Sequence, residues 1–250
     1  MTGVGEEMAG KGEVALIVGA GDAIGSAIAR RFSQEGYTVV AVRRNGDRLK
    51  GLVEEIEASG GKAHGWSVDA RDEEAIVALF ARIESDVGPL AVVVFNVGAN
   101  VPMKILETSS RKFSKIWEMA CFAGFLSGRE AAKTMLPRNK GTIIFTGATA
   151  SVRGAAGFAA FASAKHGLRA LAQSMARELA PQNIHVAHVV IDAAVDTAWI
   201  RENFLVHKTD RQEDDIVRPE SIADAYVQLH RQPRDAWTFE MDLRPWVESW

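Results

Sequence analysis

Three glycines in "VGAGDAIGSA", Gly19, Gly21 and Gly25, follow an apolar run directly and open a segment of helical period. Glycines placed so let the backbone turn sharply and come close to a ligand. The helix start then points unpaired N–H groups and its positive dipole end outward. That arrangement suits a pyrophosphate, and hence a dinucleotide; a purely structural turn is the alternative. A second signal stands 24 residues after Gly19, at the end of the next apolar run, "VVAVRRNGD". An acidic side chain at that place usually holds the adenosine ribose hydroxyls of NAD. Here Arg43 and Arg44 occupy it, and a guanidinium suits a 2′-phosphate, which favours NADP(H) over NAD(H). Two solvated arginines at a strand end are the plainer alternative. Asp22 argues the other way, since its charge would repel that phosphate at close range.

The elements that must position these residues are legible as apolar runs of five to eight residues alternating with helical segments. "EVALIVGA", "YTVVAVRR", "KAHGWSVDA", "LAVVVFNVG", "GTIIFTGA" and "NIHVAHVVI" read as strands. Amphipathic helices lie between them, the longest being "SSRKFSKIWEMACFAGFLSGREAAKTML" and "GFAAFASAKHGLRALAQSMARELA". Strands apolar on both faces with helices between them predict a parallel sheet covered on both sides. Right-handed crossovers make this an α/β, Rossmann-type, doubly wound fold. "PESIADAYVQLHRQ" adds a late helix and "AWTFEMDLRPWVESW" a seventh strand with an aromatic tail. With no repeat or linker before about residue 195, residues 13–250 read as one domain behind a loose tail, 1–12. Within it, 197–218 is expected on the substrate side and 233–250 forms the last strand and tail.

With these motifs in order, the chain resembles the short-chain dehydrogenase/reductase family over roughly residues 13 to 230. "GAGDAIG" is similar to the family's glycine pattern, with Ala23 at its middle glycine and Ile24 before Gly25. "VDA" puts Asp69 where the family contacts the adenine ring, and "NVGA" begins with Asn96 as the family's Asn-Asn-Ala-Gly does. "FASAKHGLRAL" resembles the active-site helix, with Lys165 at the lysine. The resemblance implies cofactor contacts at these positions and at Thr197. It also implies a catalytic tetrad. A tyrosine phenol exchanges a proton with the substrate oxygen as hydride moves, and a lysine lowers the phenol pKa and holds the nicotinamide ribose. A serine positions the oxygen, and an asparagine maintains a water path. Four residues before Lys165 stands Phe161, thirteen before that Ala148, and the asparagine position holds Cys121. Only Lys165 is kept. Tyr37 and Tyr226, the only tyrosines, fall far from the missing position, and the enoyl-reductase spacing of seven lands on Phe158.

In "IDAAVDT", Asp192 and Ala193 replace the family's Pro-Gly, while Thr197 remains. Asp192 either contacts the nicotinamide end or caps the next helix. Thr149 and Ser151 could orient a carbonyl or be ordinary loop residues. Lys165 could act as the acid itself if desolvated, or simply hold the ribose. His166 points about 100° away from Lys165 around the helix. His185 and His188, three apart in a strand, face opposite sides and make a poor metal pair. Phe161 reads as a ring of tyrosine's size without a proton to give, and with Phe158 and Ala148 it makes the pocket more apolar.

Composition narrows the rest. The 250 residues are 47% hydrophobic and 24% charged, with a net charge of −3, so neither nucleic acid nor an anionic membrane is expected as partner. Cys121 is the single cysteine, which excludes an intrachain disulfide and fits a cytoplasmic setting. The opening residues lack the pattern of a signal peptide, and no apolar stretch would span a bilayer. Trp199, Ile200, Phe204 and Leu205 could line a pocket or pack on the body. Trp246 and Trp250 are expected to bury against a neighbouring subunit in a homodimer or homotetramer. Three functional classes follow: an NADP-dependent oxidoreductase acting on a small molecule without the usual tyrosine, a cofactor-binding regulator, and a non-catalytic partner of an active relative.

Overall fold

The computed structural model describes residues 12–203, 212 and 214–248. Seven strands form one parallel sheet in the order β3-β2-β1-β4-β5-β6-β7. These are β1 (Val14–Val18), β2 (Thr38–Arg43), β3 (Lys62–Ser67), β4 (Leu90–Phe95), β5 (Gly141–Thr146), β6 (Ile184–Ile191) and β7 (Glu240–Leu243). The helices are α1 (Ile24–Gln34), α2 (Lys50–Ala58), α3 (Glu73–Arg82), α4 (Ser110–Trp117), α5 (Ala123–Met135), α6 (Ala159–Leu179), α7 (Ala198–Asn203) and α8 (Pro219–His230).

Alternate residues of each buried strand feed two cores, one on each face of the sheet. Ala15 and Ile17 of β1 pack with α1, α2 and α8 through Phe32, Ile56 and Tyr226. Val14, Leu16 and Val18 pack with α3, α5 and α6 through Phe80, Leu126 and Leu168. The apolar runs lack a strict alternation for this reason: both faces are covered.

The single helix expected from Ser109 to Leu136 is interrupted by a π-helical turn, Glu118–Phe122, between α4 and α5. Cys121 lies in that turn. A single π turn adds one residue to an otherwise helical run, too small a shift for a short pattern of apolar residues to disclose. The aromatic segment after α7 is described only in part. Phe204, Leu205, Trp250, the side chain of Trp199 and the expected tail before Gly12 lie outside the described residues. Around that segment, Val195 bridges Val217, and the N–H of Asp196 donates to the carbonyl of Val217 (2.9 Å).

The strand order reverses between β1 and β4, and in such sheets ligands bind beyond the carboxyl ends of the strands at that reversal. The register aligns those ends. Val18 pairs with Val42 and with Phe95, and Phe95 with Phe145. Gly19, Arg43, Asn96 and Thr146 therefore emerge along one edge.

Candidate cofactor cleft and active site

Gly19 leaves β1 at φ +90°, and a Cβ there would lie 2.8 Å from the Asn96 carbonyl oxygen. A Cβ on Gly25 would meet the Ala20 Cα at 2.6 Å, so glycine is what allows α1 to seat against the loop. Ala23, at the family's middle glycine, has φ −112°, outside the left-handed region that favours glycine. Asn96 ties the loop to β4, its Nδ2 donating to the Gly19 carbonyl at 3.0 Å.

Two helix starts carry a side-chain cap, whereas α1, α2, α6 and α8 do not. Asp72 caps α3 by accepting from Ala75 N–H (3.1 Å), and Ser109 caps α4 by accepting from Lys112 N–H (3.3 Å). No side chain caps α1 at Ala23. Its first N–H groups and its positive dipole end thus face a cleft lined by Gly21, Asp22, Ala23, Ile24 and Gly25.

Two clefts meet there, sharing Gly21, Asn96, Val97 and Gly98. One, of about 560 Å³, runs over β2 and β3 past Arg43, Arg44, Arg48 and Asp69. The other, of about 370 Å³, runs toward β5 and β6 past Ala148, Phe161, Lys165, Ala193 and Thr197. Every residue singled out for cofactor contact lines one or both, and Cys121 lies behind the second. Arg48 was not singled out from sequence. The "RRNGDR" run holds the signal: a third arginine returning to the strand end after one short turn.

Charges at the first cleft are already paired in part. Arg43 Nη1 donates to Asp22 Oδ1 at 2.6 Å, and Arg48 Nη2 donates to Asp22 Oδ2. Asp22 therefore reaches the arginine-lined end of β2, where two guanidinium groups pair with its carboxylate. Arg44 makes no side-chain hydrogen bond or ion pair among the described residues. Arg71 donates to both carboxylate oxygens of Asp69, at 3.0 and 2.6 Å. Those hydrogen bonds hold the Asp69 carboxyl below the usual carboxylate range.

At the second cleft the four tetrad positions do come together. Lys165 is buried, with Nζ donating to the carbonyls of Thr146 (2.8 Å) and Val97 (3.2 Å). Burial in this apolar setting pushes its ammonium down to about 8. Nζ stands 5.9 Å from the centre of the Phe161 ring, one helical turn away. Phe161, Cys121 and Ala148 belong to a single apolar cluster with Ala160, Ala164 and Met103. Burial raises the Cys121 thiol, so it is protonated at neutral pH, unlike an activated nucleophile.

The possible substitutes turn away from the cleft. Thr149 Oγ1 donates to Asp192 Oδ1 at 2.5 Å, and Ser151 is buried, its Oγ accepting from the Ala148 N–H at 3.1 Å. The Asp192 carboxylate caps no helix and does not line the second cleft. It is buried beneath the β5–α6 connection, where it also pairs with Arg153 (3.3 Å) and Arg244 (3.5 Å). Thr197 takes the capping role, its Oγ1 accepting from Ile200 N–H at 3.1 Å. His166 binds the Ala162 carbonyl through Nδ1 (2.9 Å). His185 stacks on Trp237 and bonds the Thr238 carbonyl, whereas His188 bonds Glu240, so the pair is divided. Tyr226 hydrogen-bonds Thr146 Oγ1 at 2.8 Å from the α8 face, across the sheet from Lys165. No cluster of three metal-ligating side chains occurs among the described residues.

A doubly wound parallel sheet with a glycine-rich turn between its first strand and first helix is thus the class of molecule at hand. The short chain dehydrogenase family model matches residues 13–205, and the chain belongs to that family. It is 29% identical over 233 residues to the 2,3-dihydro-2,3-dihydroxybenzoate dehydrogenase of Bacillus subtilis, covering 88% of this chain and 89% of that protein. A short-chain dehydrogenase structure from Rhodopseudomonas palustris is 52% identical, with a TM-score of 0.82 over 94% of this chain and 100% of that one. A metagenomic short-chain oxidoreductase in complex with NADP is 26% identical, with a TM-score of 0.81 over 95% of this chain and 99% of that one.

Proposed function

We propose that this chain binds NADP(H) in preference to NAD(H) and acts as an oxidoreductase on a small molecule without tyrosine-based proton transfer. The observation that carries the reading is the set of three arginines, Arg43, Arg44 and Arg48, rimming the cleft beyond β2. The NADP complex of the metagenomic relative supports the same direction.

The residues fit such a cofactor: an uncapped helix start, a glycine cradle, an unpaired Arg44 and a buried ammonium. On this reading Gly19, Gly21, Ala23, Ile24 and Gly25 take the pyrophosphate and Asp69 flanks the adenine. Asn96, Lys165 and Thr197 serve the nicotinamide end. A bound nicotinamide would supply or accept a hydride. Lys165 is the only amine among the residues lining the second cleft, so a proton exchanged with substrate passes through Lys165 or comes from solvent. Ala148 and Phe161 offer none.

A second reading has its own support: a non-catalytic NADP(H)-binding regulator, or a partner subunit of an active relative. Phe161, Ala148 and Cys121 pack as one apolar cluster, so the three replacements form a consistent wall instead of scattered damage. On the oxidoreductase reading the protein is a cytoplasmic homodimer or homotetramer. The exposed Phe113, Trp117 and Phe125 on α4 and α5, with Trp246 at 70% exposure, support self-association. Among the described residues no helix is long and apolar enough to cross a membrane.

Calorimetric titration of NADPH, NADP, NADH and NAD into the purified protein tests the shared premise. Selective binding of the phosphorylated pair is expected, and failure to bind any of the four refutes the enzyme and the regulator, leaving the partner subunit. Turnover of bound NADPH with a panel of small carbonyl compounds then separates enzyme from regulator.

A further inference from the structure

If NADP(H) is the cofactor, as proposed above, its 2′-phosphate enters a cleft that already contains an anion. Asp22 stands in the glycine loop, yet its carboxylate reaches across to the end of β2. One oxygen accepts from Arg43 at 2.6 Å and the other from Arg48 in the turn Gly46–Leu49. A single carboxylate thus bridges two guanidinium groups, as a phosphate monoester would. Arg44 alone of the three is left without such a partner among the described residues.

We propose that Asp22 sets cofactor selectivity by acting as a built-in stand-in for the 2′-phosphate. The charges around the cleft make this a competition. Three guanidinium groups face one carboxylate, since Asp69 is engaged by Arg71. A 2′-phosphate brings nearly two further negative charges, and it reaches Arg43 and Arg48 only by displacing Asp22 or by sharing them with it. The Asp22 side chain is 60% exposed, so it can rotate out, but each exposed ion pair it gives up weakens binding by a factor of a few. An adenosine ribose with both hydroxyls free demands no displacement. A carboxylate with two donors has lone pairs left to accept from a ribose hydroxyl. Asp22 therefore narrows the preference for NADP(H) that the arginines create, and Arg44 carries what remains.

The adenosine half isolates the effect from the altered nicotinamide end. Wild type and Asp22→Asn are titrated calorimetrically with 2′,5′-ADP, 5′-ADP, NADPH and NADH, with Asp22→Ser as a second variant. Thermal midpoints check that the exposed substitution leaves the fold unchanged. Both variants are expected to bind 2′,5′-ADP and NADPH about fivefold to tenfold more tightly. For 5′-ADP and NADH the expected change is none or a weakening. Equal affinities in wild type and variants, or an equal gain for 5′-ADP, would overturn the proposal while leaving the cofactor reading intact. No binding of any of the four to wild type or variants would overturn both.

Discussion

Phe161 and Lys165 lie one turn apart on α6, and the missing phenol is the simplest residue-scale experiment. With Lys165 buried and in place, Phe161→Tyr with Ala148→Ser restores two of the lost groups beside it. General acid–base assistance is worth ~10²–10⁴ in rate, so the double variant should reduce ketones with NADPH by roughly 10²-fold or more over wild type. NADPH consumption in a steady-state assay measures it. A folded, cofactor-binding double variant with no activity would place the defect in the pocket beyond these two side chains. Lys165 has a pH signature of its own. Its ammonium, pushed down to about 8 by burial, is charged below that pH and neutral above it. Cofactor affinity that uses the ammonium therefore falls as pH rises through about 8. An exposed lysine would hold its proton to above 10. Lys165→Met should flatten that profile in the same titration.

At the scale of elements, the connection after β5 is held from below. Asp192 joins Thr149 and Arg153 of that connection to Arg244 beyond β7. Asp192→Ala leaves buried polar groups facing an emptied space, at a cost of about 2–3 kcal/mol. For a chain of this size that lowers the thermal midpoint by roughly 4–10 °C, readable by differential scanning calorimetry. Gly147 beside it tolerates no side chain. A Cβ would lie 2.5 Å from His188 Nε2 and 2.9 Å from the Val189 carbonyl oxygen. Gly147→Ala should thus destabilise by about 1–3 kcal/mol without touching the arginine cleft. Unchanged 2′,5′-ADP affinity with a lowered midpoint would separate the two ends of the site.

Across the whole molecule, two buried histidines bind the fold to neutral pH. His188 of β6 bonds Glu240 of β7, and His230 of α8 joins Tyr37, before β2, to Thr142 near the start of β5. Burial pushes both down to about 4. Because the folded pKa values are depressed, their contribution is complete above about 6.5 and is lost as pH falls toward 4. Each shift corresponds to on the order of 3 kcal/mol at full protonation. Urea unfolding at pH 7 and at pH 4.5 should show a large fall in midpoint, and Thr142→Val or His230→Gln should change its size. Assembly belongs to this scale too. Deleting Pro245 to Trp250 is expected to lower the oligomeric mass measured by light scattering, and an unchanged mass would exclude the aromatic tail from the interface.

What the sequence by itself determined is whatever depends on local order and period. The seven-stranded parallel sheet follows from doubly apolar runs alternating with helices. The glycine loop follows from its place between the first strand and helix, and Phe161 and Ala148 fall at the family's Tyr and Ser positions by counting back from Lys165. Tertiary structure alone decided which side chains meet across the sheet edge. Arg48 joins Arg43 because a short turn folds it back, and Asp22, 21 residues earlier in the chain, bridges both. The Asp192 side chain is a buried anchor because its partners come from two segments distant from it in the chain, the β5–α6 connection and the residues beyond β7. The π turn that carries Cys121 left no trace in the apolar pattern. Charge pairing between distant segments depends on distances of a few ångströms that no spacing along the chain encodes, whereas burial periodicity is written into the chain directly.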